Sequence, residues 1–398
     1  MSNILFMYDN LLDTATLTAS SAASGFPADN LKNPFRSKPW RTAGTPAGTA
    51  NIVMDLRASW INSGANLITN GDFSSALGAE WKLSPGAGGG SIAIDAGSLK
   101  FTQGVSAWMF ASQSITTVPG GLYLVNVNCK SATYSANYLL IKIGTTQNGG
   151  QISSTTCVTT GIKSIYFIAV GTTTWITLAD GQGDAATSTW DDVSVYLKSG
   201  GEASSIALIG YNWASAPETL DLEFSLTDSW TPPAATEVVT WAASPSDNGN
   251  PGIIVKCFTS RSYPYARLNV AHSPGDWDLG RIFIGSYFEP AAQHLYGHTQ
   301  AIVDDSMLAA TIGGQDHADE VAKYRNLAFS FNIRSQAQWE LFQKMINAVG
   351  KTKDLLIAMD YTNEPDEMTI YGKFTELPVA VGVRSGQFDA AFAFRESR

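Results

Sequence analysis

Along most of this chain apolar and polar residues alternate with a period of two. ETLDLEFSL (218–226) sets Leu220, Leu222, Phe224 and Leu226 against Asp221, Glu223 and Ser225, as a strand with one wet face requires. NIVMDL (51–56) turns Ile52, Met54 and Leu56 to one side. LAFSFNI (327–333) and FDAAFAF (388–394) each gather four apolar residues on a single face. SSIALIGYN (204–212) is a short apolar run typical of a buried strand. Between them GLYLVNVNC (121–129), NYLLIKIG (137–144), SIYFIAVG (164–171) and TTWITLAD (173–180) are separated by turn residues. Turn signals about every ten residues are the pattern of a β-sandwich. One segment breaks the rule: Trp339, Phe342, Met345, Ile346 and Val349 recur at helical spacing. Ser335 with Gln338 three residues later predicts the N-terminal cap, and Gly350 with Lys351 and Lys353 the C-terminal end.

The style of the pattern changes along the chain. Residues 1–61 and 200–285 carry short β signals, with FPADNLKNPFRSKPWR as a proline-broken loop. Residues 62–199 are richer in Gly-marked turns. Residues 286–398 hold strands around the helix, an α+β unit with one helix on a sheet.

Composition narrows the function. The 398 residues carry a formal net charge of −10, which disfavours nucleic acid and anionic membranes as partners. Charged residues are 15% of the chain, against about 25% in ordinary soluble domains, as in a subunit that buries surface against neighbours. No run approaches 18 apolar residues, so membrane insertion is not expected, and MSNILFMYDN does not read as a signal peptide. Cys129, Cys157 and Cys257 are odd in number and widely spaced. They read as free thiols, with a Cys129–Cys157 bond requiring adjacent strands.

Residues 66–198 resemble a carbohydrate-binding module of the jelly-roll type. The resemblance lies in NLITNGDFSSALGAEW at the start and WDDVSVY at the end. It implies first and last strands that pair, a structural calcium near Asp72 and Asp192, and sugar contact through aromatic rings. Ser74 stands where the family motif carries Glu. The flanking segments, through YARLNV and DLGRIFIG, resemble a discoidin-like jelly roll cut by this module. NLLDTATLTASS, FPADNLKNPFRSKPWR, IALIGYN and TIYGKF with FDAAFAFRES resemble tailed-phage distal-tail and baseplate proteins. The expected fold is therefore mainly β: a discoidin-like jelly roll over 1–61 and 200–285, split by an inserted jelly roll over 62–199, then a C-terminal α+β sheet domain over 286–398. The expected function is that of a virion structural protein, a homo-oligomeric ring in the phage tail that binds other tail proteins and touches host-surface glycan. A receptor-binding adhesin and a polysaccharide hydrolase are the rivals.

Catalytic chemistry finds little support. There is no G-x-S-x-G, H-E-x-x-H or Walker sequence. Asp191/Asp192 and Asp304/Asp305 are adjacent, so on a strand each pair would point to opposite faces. His294 and His298 have the i, i+4 spacing of a helical metal pair, but Gly297 interrupts them. No enzyme activity is expected. Trp81 and Trp190 sit inside the terminal strand motifs and read as core. Trp108, Tyr134, Tyr138 and Trp175 are the candidate sugar platform, each with core packing as its alternative.

Overall fold

The computed structural model describes residues 4–34, 37–43, 49–85, 89–104, 108–132, 138–181, 186–213, 215–241, 252–272, 277–291, 294–295, 297–310, 316–319, 321, 323–360, 369–384 and 386–397. Every strand pairing recorded in it is antiparallel. Among the described residues there is one α-helix, α1 (Gln336–Val349), beside three short 3-10 turns. The mainly β expectation holds.

Two sheets share the first core. One runs Ala235–Val238, Thr219–Ser225, Tyr265–Ala271, Thr49–Asp55, Thr16–Ala19; the other Gly252–Arg261, Ala203–Tyr211, Arg281–Gly285. Ile52, Met54, Leu220, Leu222 and Phe224 point into that core with Ile206, Leu208, Ile282 and Ile284. The three-stranded sheet is buried on its other face too. There Ala207, Ile209, Ile253 and Phe283 meet Leu5, Met7, Leu356 and Tyr371. That double burial explains why SSIALIGYN has no polar phase.

The partner of that second face is a seven-stranded sheet, ordered Tyr287–Phe288, Leu5–Met7, Leu355–Ala358, Thr369–Arg384, Gln387–Glu396, Tyr324–Ile333, Thr299–Val303. The strand Leu5–Met7 belongs here, in register with Leu356–Ala358 on one side and Tyr287–Phe288 on the other, rather than in the sandwich formed by its sequence neighbours. Its run ILFM is fully apolar because both faces are covered: Ile4 and Phe6 reach one core, Leu5 and Met7 another. α1 packs its Phe342, Met345, Ile346 and Val349 onto this sheet beside Phe329, Phe331 and Phe392. Ser335 Oγ accepts from Gln338 N at 3.3 Å, and Gly350 closes the helix with φ +58°, as the spacing predicts. Below the sheet surface Arg325 and Glu396 form an ion pair at 3.1 Å with 2% and 0% of their side chains exposed.

Residues 61–199 form a second sandwich. Its six-stranded sheet runs Gly161–Ile168, Leu122–Ala132, Thr187–Ser199, Ser98–Thr102, Ser91–Asp95, with Ile61–Ser63 paired to the far end of Thr187–Ser199. Its five-stranded sheet runs Ser153–Thr156, Leu139–Gly144, Thr173–Asp180, Met109–Thr116, Lys82–Ser84. Ser199 lies opposite Ile61, so the sandwich leaves the chain where it began. Trp60 packs on Gly201 at this junction and its Nε1 donates to Tyr263 O at 3.3 Å. Cys129 and Cys157 are free and buried in the shared core. Burial pushes the Cys157 thiol up to about 12, Cys129 adding to the effect.

Candidate functional site

The terminal motifs of the sandwich meet as the sequence suggests. Val193 N donates to Gly71 O at 2.8 Å, and Leu67 N to Val195 O at 2.9 Å. A Cβ at Gly71 would collide with the Val193 carbonyl, so glycine is required there. Asn70, Phe73 and Asp192 all have positive φ, 50°, 47° and 50°, a conformation rare for a bulky residue such as Phe. What holds Phe73 there is burial: it is fully enclosed, against Trp81 at 5.4 Å between ring centroids. Trp81 and Trp190 are 3% and 0% exposed and belong to the core.

Asp72 and Asp192 line one hollow of about 410 Å³ with Asn66, Asn70 and Ser194. Its side-chain oxygens already accept N–H donors. Asp72 Oδ1 takes Ser74 N at 3.3 Å, Asp192 Oδ2 takes Asn128 Nδ2 at 3.2 Å, Asn66 Oδ1 takes Ile68 N and Val195 N, and Asn70 Oδ1 takes Ser75 N. Calcium needs six to eight oxygens. No group of three or more His, Cys, Asp or Glu is assembled among the described residues. These bonds stabilise the turn and engage one oxygen of each of the two aspartates. Neighbouring Asp191 is occupied too, with Lys130 Nζ at 2.7 Å.

The platform candidates divide. Tyr134 lies outside the described residues. Trp108, Tyr138 and Trp175 all sit on the five-stranded sheet or at its end. In the strand Thr173–Asp180, Thr174, Ile176 and Leu178 turn inward, so Trp175, Thr177 and Ala179 form the outer face. Register extends this face sideways: Phe110 lies opposite Ala179, Ser112 opposite Thr177, Ser114 opposite Trp175, and Lys142 opposite Thr177 on the other side.

At one end Trp108 is 42% exposed and stacks on Phe110, with centroids 6.2 Å apart and planes 11° apart. Lys142 Nζ stands 5.7 Å from the Trp108 centroid and 5.1 Å from that of Phe110. Trp108 lies flat on Gly181, where a Cβ would come within 2.6 Å of the indole. Gly181 N donates to Tyr138 O at 3.1 Å, which brings Tyr138, 46% exposed, to the same end. Trp175 is half-buried at the other end. It is six residues along the strand from Gly181, roughly 20 Å at about 3.3 Å per residue. Between the two ends Ser112 and Thr177 are 0% exposed, and Lys142 and Asn148 are the accessible polar residues. Ser112 Oγ lies 2.8 Å from Thr177 Oγ1 and donates to Asn148 Oδ1 at 2.7 Å, so the turn around Asn148 leans over the middle. Phe110, Lys142 and Asn148 are site residues that the sequence pattern did not single out.

The remaining candidates are accounted for. His294 and His298 meet edge to face, centroids 5.4 Å apart. Asp304 and Asp305 separate, one toward Lys323 at 3.4 Å, the other toward Arg395 at 3.8 Å.

No protein-family model matches the chain, and no curated protein matches it. Solved structures resemble a third to somewhat over half of it. A CBM4 structure is 18% identical over 33% of this chain and 99% of its own, with a TM-score of 0.25. TmCBM61 in complex with β-1,4-galactotriose is 20% identical over 34% of this chain and 99% of its own, with a TM-score of 0.26. The enzymatically active domain of tailspike protein 4 from bacteriophage CBA120 is 16% identical over 33% of this chain, with a TM-score of 0.26. The match spans only 21% of that tailspike.

Proposed function

We propose that this chain is a structural subunit of a phage tail tip or baseplate that binds surface glycan, without cleaving it, through the outer face of its inserted sandwich. The observation that carries the glycan reading is that face. An exposed Trp108, stacked on the half-buried Phe110, and a half-buried Trp175 bracket the accessible polar groups of Lys142 and Asn148, with Ser112 and Thr177 buried beneath the Asn148 turn. Sugars present apolar C–H faces and hydroxyl edges, so a stacking ring beside amide and ammonium groups matches them. One shallow face gives affinities near millimolar, about −4 kcal/mol. A ring of subunits would multiply this by roughly 10²–10⁴ through avidity. The test is a glycan array probed with the full chain, displayed in multiple copies. The double variant Trp108→Ala with Phe110→Ala should lose at least tenfold of the signal. An array with no hits, or unchanged binding by the variant, ends the reading.

The ring is supported by a separate feature. The hairpin strand of the seven-stranded sheet leaves Leu377, Val379, Val381 and Val383 44%, 72%, 59% and 48% exposed. The edge strand Thr299–Val303, paired on one side among the described residues, carries Ile302 at 69% exposed. An apolar stripe beside an open edge suits a second copy of the chain. Imaging of assembled particles would place the subunit in a ring at the tube end; a peripheral spike would favour the adhesin instead.

A further inference from the structure

The C-terminal unit holds a hollow whose charge runs against that of the molecule. Its volume is about 690 Å³, within the range of small-ligand pockets. Val321 and the half-buried Tyr324 supply apolar wall, and Lys351, Lys373 and Arg395 bring three cations to it in a chain of net charge −10. Lys373 and Arg395 are direct cross-strand partners, and like charges so placed repel. Their own counter-ions relieve this only weakly. Lys373 Nζ is 3.8 Å from the largely buried Asp354, and Arg395 Nη2 is 3.8 Å from Asp305. Glu396 lines the hollow as well, but its carboxylate is committed to Arg325 beneath. Lys351 lies just beyond the helix end and has no ion pair among the described residues. The Arg395 guanidinium rests 4.0 Å over the Tyr324 ring, which fixes the plane of its donors.

We propose that this hollow is an anion site: it takes the carboxylate or phosphate of an organic ligand between Lys373 and Arg395, with Lys351 as the third cation. An anion there turns cross-strand repulsion into two charge-assisted contacts, and the planar guanidinium can grip it with two parallel N–H donors. The apolar wall then receives the body of the ligand. This inference is independent of the glycan-binding face on the sandwich.

The full chain is titrated calorimetrically with inorganic phosphate, D-glucuronate and neutral D-glucose, at low salt and at higher salt. Both anions should bind in the millimolar range and weaken several-fold with salt. Lys373→Gln combined with Arg395→Gln should lower anion affinity at least tenfold while leaving the melting curve in place, since both side chains are partly exposed. Lys373→Arg should retain binding, and Trp108→Ala should not alter it. Tighter binding of glucuronate than of phosphate assigns the site to an acidic sugar, and the reverse order to a phosphate group. The proposal is overturned if neither anion binds, if the double variant binds like wild type, or if Lys82→Gln with Lys100→Gln, cations of the inserted sandwich, removes as much affinity.

Discussion

The inserted sandwich and the C-terminal sheet each leave one broad sheet face outside their cores, and they furnish it differently. On the sandwich the face carries Trp108, Phe110 and Trp175 around Ser112, Thr177, Lys142 and Asn148. Its polar groups satisfy one another through hydroxyl and amide bonds. On the C-terminal sheet the face carries Ala328, Ser330, Ala391 and Ala393 beside Val379. Its strongest polar interaction is sunk beneath, as the Arg325–Glu396 pair. A wet ligand rewards the first arrangement, because the Lys142 ammonium and the Asn148 amide stand beside the rings within reach of sugar hydroxyls. A second protein surface rewards the other, because small side chains allow close, dry approach.

The largest expected effect tests the buried anchor. Glu396→Ala strands the Arg325 guanidinium and should cost about 3–5 kcal/mol, read as a lower urea midpoint of the C-terminal unit. A change under about 1 kcal/mol would mean that water already reaches the pair. Replacing both, Arg325→Met with Glu396→Leu, should recover much of the loss.

Next in size is association. Val379→Asp with Val381→Asp should abolish self-association in sedimentation velocity while moving the melting temperature little, because both side chains are solvent-exposed. Wild-type chain that sediments as a monomer at every concentration would remove the contrast between the two faces. Smaller again is the arch over the sandwich. Asn148→Gly keeps the φ of 61° accessible but deletes the acceptor for Ser112, at about 0.5–1.5 kcal/mol. The same variant should change glycan affinity more than it changes anion affinity. The smallest expected effect is calcium removal. With Asp72 and Asp192 engaged by N–H donors, a chelator should leave the melting curve of the full chain where it was. A fall of several degrees, reproduced by Asp192→Ala, would restore calcium to that hollow.

Local pattern revealed what local forces decide. The alternation in LAFSFNI and FDAAFAF appears as two neighbouring strands, Leu327 opposite Phe394 and Phe329 opposite Phe392. Ser335 and Gly350 bound the helix because capping is settled within one turn. The matching ends of the sandwich, NGDF and DDV, do meet. The rest depends on register between distant segments. Phe110 becomes part of a platform only because its strand lies beside Thr173–Asp180, some 65 residues on. Asn148 gains its role from a turn that leans across the sheet. Nor does ILFM announce that its strand will sit between Tyr287–Phe288 and Leu355–Ala358. The sharpest motif, with Asp72 and Asp192, belongs to the scaffold, while the exposed rings lie in unremarkable stretches between.

That early strand also sets a clock for synthesis. Leu5–Met7 leaves the ribosome about 350 residues before Leu356 and Ala358, against which it pairs. At the usual 5–20 residues per second the wait is roughly 20–70 s. Until Tyr287–Phe288 is made the apolar tetrapeptide has neither of its neighbour strands, although the inserted sandwich, complete by residue 199, can already close. The host layers and the C-terminal sheet are thus sealed together late, by a strand made some 350 residues earlier.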